Sequence, residues 1–223
     1  MNFLKFSLLF GLFSSLNFAE YWKIDPSPLA QDEIQEALIL AEPGDTVFLS
    51  KGIYQLDHGL SLDVDNVSII GEGMYETVLD FSNQETGAQG LLVTSDNVLM
   101  QDFAIENAKG DAIKSKGVTN ISFIKVRTEW TNGPDSKNGA YGLYPVESIG
   151  VLIDGCVAIG ASDAGVYVGQ SEQIIVRNTR AEFNVAGIEI ENSYHADVYN
   201  NVATNNTGGI LIFDLPNLSL IHI

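Results

Sequence analysis

Four segments of this chain share one pattern: Gly142-Leu143-Tyr144-Pro145, Gly165-Val166-Tyr167-Val168, Gly187-Ile188-Glu189-Ile190 and Gly209-Ile210-Leu211-Ile212. Each is a glycine followed by an apolar, an outward-facing and an apolar residue. The glycines are separated by 23, 22 and 22 residues, and looser copies begin at Gly90 and Gly110. A constant period of this length, made of short alternating strands, is typical of a solenoid whose turns bury their apolar faces on one another.

A second series of short strands lies between these copies, and small and amide residues repeat at the same interval. The strands cover residues 67–70, 98–100, 121–124, 151–153 and 174–176. The repeating residues are Ala181 and Ala203, Ala186 and Gly208, Asn178 and Asn200, and Asn184 and Asn206. In a parallel β-helix each residue stacks on its counterpart one coil along, about 4.8 Å away, and asparagine tolerates the left-handed backbone of tight turns.

We therefore predict an all-β fold, a single-stranded right-handed parallel β-helix. Leucine-rich repeats share the period but require a Leu-x-x-Leu-x-Leu frame, which does not recur here. An antiparallel sandwich is the alternative fold, although it would not impose a constant interval between strands.

A short amphipathic helix is predicted over residues 31–41, ahead of the first coil. Ile34, Ala37, Leu38 and Ala41 have helical spacing, and a Pro-Gly pair follows at 43–44. This helix would cap the open end of the first coil, whose unpaired backbone would otherwise invite aggregation.

Residues 1–19 have the pattern of a secretory signal peptide. Lys5 supplies a positive charge, residues 6–16 form a short apolar run, and Ala19 is a small residue at the expected cleavage site. We therefore expect a secreted or periplasmic protein without a membrane span, with residues 20–223 forming one β-helix domain. Residues 218–223 form an alternating strand with no cap after it, so we expect the domain to be truncated at its C-terminus.

Charge and cysteine content narrow the possible functions. The 223 residues include 29 acidic and 11 basic side chains, a net charge of −18, which argues against a nucleic-acid partner. Hydrophobic residues make up 45% of the chain, which argues against disorder. Cys156 is the only cysteine, so it cannot form an internal disulfide and is expected to be a buried thiol. We expect a monomer.

Five stretches carry a family resemblance: residues 71–73, 110–114, 127–130, 138–148 and 160–170. They resemble a family of secreted bacterial parallel β-helix repeat proteins with the pectin-lyase-like solenoid, a family that has no well-established activity. The chain is more distantly similar to mannuronan C5-epimerases and other sugar-processing β-helices, in which a Tyr-Gly-Leu-Asp-Pro-His-Asp type segment supplies a catalytic His and acids. Here Tyr144 replaces the first acid and Val146 replaces the His, so that chemistry does not carry over.

The repeat aligns outward-facing side chains into two columns. The first column contains Lys114, Tyr144, Tyr167, Glu189 and Leu211, and the second contains Glu147, Gln170, Asn192 and Asp214. Together they predict an aromatic, acidic and amide strip along one face, which suits an extended polysaccharide because sugar C–H faces pack on tyrosine and hydroxyls bond amides and carboxylates. The alternative is a solvated sheet face without function.

The coil that contains Trp130 is longer than the others and includes a turn-rich loop at residues 131–138. Loops that interrupt a regular scaffold tend to carry binding residues. We expect Arg127, Glu129 and Trp130 at the base of this loop to form one pocket with Lys114, Tyr144 and Asp163.

Two chemistries fit this predicted pocket. Lys114 and Arg127 could neutralise a uronate carboxylate while Tyr144 or Tyr167 moves a proton, as in lyases or epimerases. A glycosidase would instead need two carboxylates, supplied by Glu147 with Asp163 or Glu189. The candidate catalytic residues are Lys114, Arg127, Tyr144, Glu147 and Asp163. The candidate substrate-binding residues are Glu129, Trp130, Tyr167, Gln170, Glu189 and Asn192.

No cofactor is predicted, and Ca²⁺ is the one metal left open. The carboxylates of Asp154, Asp163, Glu189, Glu191 and Asp214 could bind it, although no Asp-x-Asp-x-Asp-Gly spacing occurs.

Two functional classes therefore stay open: a protein that binds or modifies polysaccharide, an anionic polymer being one option, and a non-catalytic structural or adhesive solenoid. A groove holding Lys114, Arg127, Trp130 and Tyr144 would indicate the first class, and divergence of these side chains would indicate the second.

Overall fold

The computed structural model describes residues 19–214, which wind as a parallel β-solenoid. The helix α1 spans Ala30–Leu40. The strands, in chain order, are β1 Tyr21–Ile24, β2 Thr46–Leu49, β3 Gly52–Gln55, β4 His58–Leu62, β5 Ser68–Ile70, β6 Thr77–Asp80, β7 Thr86–Val93, β8 Val98–Gln101, β9 Ala104–Glu106, β10 Asp111–Lys116, β11 Thr119–Ile124, β12 Arg127–Glu129, β13 Tyr141–Val146, β14 Ile149–Asp154, β15 Val157–Ile159, β16 Ala164–Gly169, β17 Glu172–Arg177, β18 Arg180–Glu182, β19 Ala186–Glu191, β20 Tyr194–Tyr199, β21 Val202–Thr204 and β22 Gly208–Phe213.

Three parallel sheets form the walls of the solenoid. The first sheet has the order β1-β2-β5-β8-β11-β14-β17-β20, the second β3-β6-β9-β12-β15-β18-β21 and the third β4-β7-β10-β13-β16-β19-β22. Each turn of the chain crosses the first, second and third sheets in that order. The predicted all-β parallel β-helix with an N-terminal helix is therefore confirmed.

The four glycine-led segments lie on successive strands of the third sheet. Val166 pairs with Ile188, and Ile188 pairs with Ile210, so the repeat interval is the length of one coil. Leu143, Val166 and Ile188 are all fully buried, which places the first apolar residue of each segment inside the solenoid. The second series of predicted strands forms the first sheet.

Two parts of the architecture were not predicted from the sequence. The later strands of the second sheet are only three residues long, and strands such as Arg127–Glu129 carry one inward residue between two charged ones. So short a strand gives no detectable periodicity. Strand β1 was also missed, and it pairs with β2 at the edge of the first sheet.

The predicted capping helix is confirmed. Ile34, Ala37 and Leu38 are almost completely buried, and Ala41, just after the helix, is buried as well. The helix packs against β1, β2, β3 and β4, so it covers the first complete coil.

Asparagine side chains stabilise the turns between coils. The Asn184 side-chain amide donates to the Asn206 side-chain oxygen at 3.1 Å and to the carbonyl of Ala158 at 3.2 Å. Asn178 and Asn200 have positive φ angles of 52° and 56°, the left-handed conformation that asparagine accepts. These bonds satisfy backbone groups that the tight corners leave without partners.

The remaining structural expectations have separate outcomes. Cys156 is buried, and burial raises the pKa of its thiol to about 12, so it stays protonated. No helix within residues 19–214 is long and apolar enough to cross a bilayer. Residues 1–18 of the predicted signal peptide and the predicted strand at 218–223 lie outside the described residues.

Candidate functional site

The predicted first column is present on the outward face of the third sheet. Lys114 pairs with Tyr144, Tyr167 pairs with Glu189, and Glu189 pairs with Leu211. Parallel stacking therefore converts a sequence interval of one coil into side chains that adjoin along the solenoid axis.

Three tyrosines on this face form one cluster. The ring centroids of Tyr141 and Tyr144 lie 4.5 Å apart, those of Tyr141 and Tyr167 lie 4.7 Å apart, and those of Tyr144 and Tyr167 lie 5.1 Å apart. We call Tyr141, Tyr144 and Tyr167 the tyrosine cluster. It packs against Ala164 and Ala186 in an apolar patch separate from the main core, and aromatic pairs of this geometry stabilise one another by about 0.5–1.5 kcal/mol each.

One end of the tyrosine cluster is cationic. The Lys114 ammonium lies 4.5 Å from the centroid of the Tyr144 ring, within range of a cation–π interaction. Asp111 lies two residues before Ile113, which pairs with Leu143. Burial raises the pKa of Asp111, and the Lys114 charge and a hydrogen bond with the Tyr141 backbone oppose this rise. We call Lys114 and Asp111 the lysine end.

The other end of the cluster is acidic, and we define the acidic end as Asp163, Glu189 and Glu191. The Tyr167 hydroxyl donates to the Glu191 carboxylate at 2.7 Å, and the Tyr141 hydroxyl is hydrogen-bonded to the Asp163 carboxylate. Burial, followed by the Asp163 and Glu191 charges, raises the pKa of Glu189 from 4.5 to about 7.

The phenols of the tyrosine cluster are held in their protonated form. Burial is the main cause of the raised pKa of all three, and neighbouring carboxylates add to it: Asp163 for Tyr141, Asp111 for Tyr144 and Glu191 for Tyr167. A phenol in this state donates hydrogen bonds and protons, and it does not act as a phenolate base at neutral pH.

The loop at residues 131–138 helps to position the acidic end. The Asn138 side-chain amide donates to the carbonyls of Gly133 and Gly160, at 2.9 Å and 2.6 Å. Just after the loop, the carbonyl of Ala140 accepts a hydrogen bond from the backbone N–H of Asp163. The loop is thus tied to the segment that carries Asp163.

The structure does not bring Arg127 and Glu129 to this face, so that part of the predicted pocket is wrong. Both lie on β12 of the second sheet, which forms a different wall of the solenoid. The Arg127 guanidinium is 6% exposed and is paired with Glu106 and Glu129; it also donates to the carbonyl of Met74 at 3.0 Å. Its donors are satisfied by the protein, because the outward side chains of adjacent second-sheet strands stack on one another.

Trp130 is not a surface residue either. It is 5% exposed and belongs to the main hydrophobic core, and its indole N–H donates to the carbonyl of Ala108 at 2.7 Å. Side chains alternate between the two sides of the wall in this segment. Arg127 and Glu129 face outward, so the ring of Trp130 points into the solenoid.

The predicted second column lies at the turn after the third sheet and not on its face. Glu147, Gln170 and Asn192 have positive φ angles of 54°, 46° and 48°. Glu147 is exposed and lies 3.8 Å from the Lys116 ammonium, and no hydrogen bond joins it to the acidic end within residues 19–214. Asn192 is buried and its amide donates to Glu191 at 3.2 Å.

Tyr141 and Asp111 were missed as site residues. They occupy equivalent positions at the starts of β13 and β10, one position before the glycine or alanine that leads into the apolar triplet. Both residues lie outside the central position of the triplet, from which the first column was predicted. A Tyr three residues before a second Tyr was the available signal.

The carboxylates proposed for Ca²⁺ do not all come together. Asp154 lies on the first sheet, where it accepts from Arg177 at 2.8 Å and from Asn178 at 2.8 Å. Across the described part of the chain, no three His, Cys, Asp or Glu side chains are placed to hold one metal ion.

Comparison with known proteins identifies the fold. A family model for the right-handed β-helix region matches residues 64–221. The A-modules of the Azotobacter vinelandii mannuronan C-5 epimerases AlgE4 and AlgE6 superpose with TM-scores of 0.65 and 0.62, at 21% and 20% identity, over 80% and 77% of this chain. An alginate lyase from Paenibacillus sp. str. FPU-7 superposes with a TM-score of 0.57 at 16% identity, over 82% of this chain and 75% of the lyase.

The overlap with these enzymes is partial. The superposed region covers 54% and 52% of the AlgE4 and AlgE6 modules, so the chain spans about half of their length. No curated protein matches the chain significantly. At these identities the likeness establishes a shared solenoid, and the chemistry has to be argued from the side chains of this chain.

Proposed function

Because the chain belongs to the right-handed β-helix family, we propose that it binds a polysaccharide along the outward face of the third sheet. We also propose that it removes a proton from a sugar carbon of this polysaccharide and donates a proton in return. The observation that carries this proposal is the tyrosine cluster, which lies on a regular sheet face between a cationic end and an acidic end. Structurally similar proteins include mannuronan epimerases and an alginate lyase, which supports a polysaccharide as the ligand. The signal-peptide pattern of residues 1–19 supports a secreted or periplasmic location.

The lysine end has the groups that chemistry beside a uronate carboxylate requires. Lys114 would neutralise the carboxylate, which makes the hydrogen on the adjacent carbon more acidic. Asp111 would accept that proton, because its raised pKa brings a carboxylate closer to the range in which it acts as a base. Tyr144 would donate a proton, because its phenol stays protonated.

Two outcomes follow from the same three groups. In elimination, the carbon–hydrogen bond and the bond to the leaving oxygen break, a carbon–carbon double bond forms, and Tyr144 protonates the departing oxygen. In epimerisation, the bond to the leaving oxygen stays intact, and the electron pair left on the carbon takes the proton of the Tyr144 hydroxyl on the opposite face, which forms a new carbon–hydrogen bond. An unsaturated product distinguishes the first outcome from the second.

The test is to incubate the full chain with oligouronates and neutral oligosaccharides while measuring binding, unsaturated-product absorbance and new reducing ends. We expect Lys114→Ala to weaken oligouronate binding about tenfold, and we expect Asp111→Asn and Tyr144→Phe to lower turnover about 100-fold or more while binding is retained. Lys51→Ala and Tyr21→Phe, at exposed positions away from this face, serve as matched controls. Lack of binding to every saccharide, or no effect of these three substitutions, would contradict the proposal.

A non-catalytic adhesive solenoid is the second candidate function, and a specific observation favours it. Arg127 and Trp130 diverge from Lys114 and Tyr144, which is the arrangement expected of a surface without a catalytic pocket. In that case the same assay gives saccharide or protein binding that Lys114→Ala weakens, with no product in any reaction.

A further inference from the structure

The acidic end contains a buried carboxylate without a partner. Glu189 is 8% exposed, and within residues 19–214 no hydrogen bond or ion pair reaches its carboxylate. Lys114 is on the opposite side of the tyrosine cluster, three coils away, and the described arginines pair with carboxylates elsewhere. In the described part of the chain, therefore, no cationic side chain is paired with this group.

An unpaired buried carboxylate is costly in free energy unless a proton or an external cation neutralises it. Two further carboxylates act on Glu189, since the Asp163 and Glu191 charges both disfavour its ionised form. The site therefore attracts positive charge. The proton transfer proposed for the lysine end does not use these carboxylates.

The carboxylates on either side of Glu189 are held by the tyrosine cluster. Tyr167 donates to Glu191 at 2.7 Å, and Tyr141 is bonded to Asp163, whose backbone is fixed by Ala140. The acceptors are thus preorganised before any ligand binds, and the electron-rich ring faces beside them also attract cations.

We propose that Asp163, Glu189 and Glu191 form a subsite for a protonated amine, so that the polysaccharide carries a free amino sugar at this position. The proposal rests on the proposed function, because it assigns a substrate class to the same face. A protonated amino group has three N–H donors, which can bond Glu189 and a neighbouring carboxylate while the sugar C–H face packs on the tyrosines.

A metal ion fits the same carboxylates less well. A metal must be approached by several ligands at about 2.0–2.6 Å from one point, and the described residues contain no group of three acidic or other metal-binding side chains placed in that way. An ammonium group does not require several carboxylates at one point, because one or two charge-assisted hydrogen bonds hold it and its remaining N–H donors can bond water or the sugar.

The two ends of the cluster then select different sugars. Lys114 and Glu189 are three coils apart, which is about 14 Å at about 4.8 Å per coil. An acidic sugar at the lysine end and an amino sugar at the acidic end would fix the direction in which a polymer lies on the sheet.

The test compares three oligosaccharides of equal length binding to the full chain, by calorimetry at pH 7: a glucosamine oligomer with free amines, its fully N-acetylated form and an oligouronate. We expect the free-amine oligomer to bind about tenfold more tightly than the acetylated one, the loss of one charge-assisted contact being worth about that factor. Glu189→Gln is expected to remove this preference by weakening binding of the free-amine oligomer about tenfold more than binding of the acetylated one. Glu172→Gln, at a half-exposed glutamate on the first sheet, is the matched control.

Several results would overturn the proposal. If the free-amine and acetylated oligomers bind equally tightly, no amine subsite exists. The same conclusion follows if Glu189→Gln weakens the binding of both oligomers equally although the variant is as stably folded as the wild type. Ca²⁺ binding that Glu189→Gln abolishes would assign the carboxylates to a metal instead. If the oligouronate binds and depends on Lys114 while the amine preference is absent, the amine subsite fails and the proposed function stands; if no oligosaccharide binds, both fail.

Discussion

Replacing Glu189 by Gln should stabilise the protein at alkaline pH. The folded environment raises the pKa of this carboxyl from 4.5 to about 7 because of burial and the neighbouring Asp163 and Glu191 charges. A carboxyl whose pKa is raised by folding contributes stability below its unfolded pKa, near 4.5, and that contribution is lost as the pH rises through about 7. A glutamine at this position cannot ionise, so it escapes the loss.

The magnitude follows from the size of the pKa change. At about 1.4 kcal/mol for each tenfold change in the proton equilibrium, ionising Glu189 in the folded protein costs at most about 3 kcal/mol at pH 8.5, and solvent that reaches the carboxylate lowers this value. At pH 5 the carboxyl is largely protonated in the folded state, and the cost is below about 1 kcal/mol. The glutamine amide can also donate to Asp163 or Glu191, so its own burial is compensated.

Urea unfolding of the wild type and of Glu189→Gln at pH 5 and pH 8.5 measures this difference. The variant should gain about 2 kcal/mol more in free energy of unfolding at pH 8.5 than at pH 5, whereas Glu172→Gln, at a half-exposed position, should change little at either pH. A gain that is equal at the two pH values, or absent at pH 8.5, would refute the assignment of Glu189 as a buried carboxyl with a raised pKa.

Two other substitutions test the second sheet and a corner turn. Arg127→Met should lower the free energy of unfolding, measured in urea, by about 2–3 kcal/mol, because it leaves Glu106 and Glu129 without their cation. Saccharide binding should not change. A loss of binding in a folded variant would show that Arg127 belongs to the binding site. Phe183→Asn should raise the free energy of unfolding by about 1 kcal/mol, because Phe183 has a φ of 58° and an exposed side chain. Its counterparts one coil before and after are Gly160 and Asn205, which accept this backbone conformation. A destabilised variant would show that the Phe183 ring makes a stabilising contact.

The first and third sheets could be predicted because their strands alternate over enough residues to bury at least two apolar side chains. Leu143 with Pro145 and Val166 with Val168 mark the inner wall of the third sheet directly in the sequence. The second sheet gives no such pattern, because β12, β15 and β18 each have three residues. Their pairing depends on the coil closing, which is a tertiary effect that local sequence does not encode.

The error over Arg127 has a related cause. Its closeness in sequence to the loop at residues 131–138 suggested closeness to Lys114, but the loop lies at the corner between the second and third sheets. Residues before the corner and residues after it therefore belong to different walls. Trp130 was misplaced for the same reason: it directly follows β12, a strand that was not predicted, and the inward direction of its side chain depends on that strand.

The first column was nevertheless predicted correctly, because an insertion at a corner between two sheets does not change the register in which the strands pair. Lys114 and Tyr144 are 30 residues apart, whereas Tyr144 and Tyr167 are 23 apart and Tyr167 and Glu189 are 22 apart. Lys114 nevertheless pairs directly with Tyr144, because the extra residues leave the wall as a loop between β12 and β13. Side chains on the sheet face are therefore ordered by coil number and not by chain distance. It follows that the loop can vary in length without separating the lysine end from the tyrosine cluster, while the hydrogen bond from Asp163 to Ala140, just after the loop, connects this segment to the acidic end.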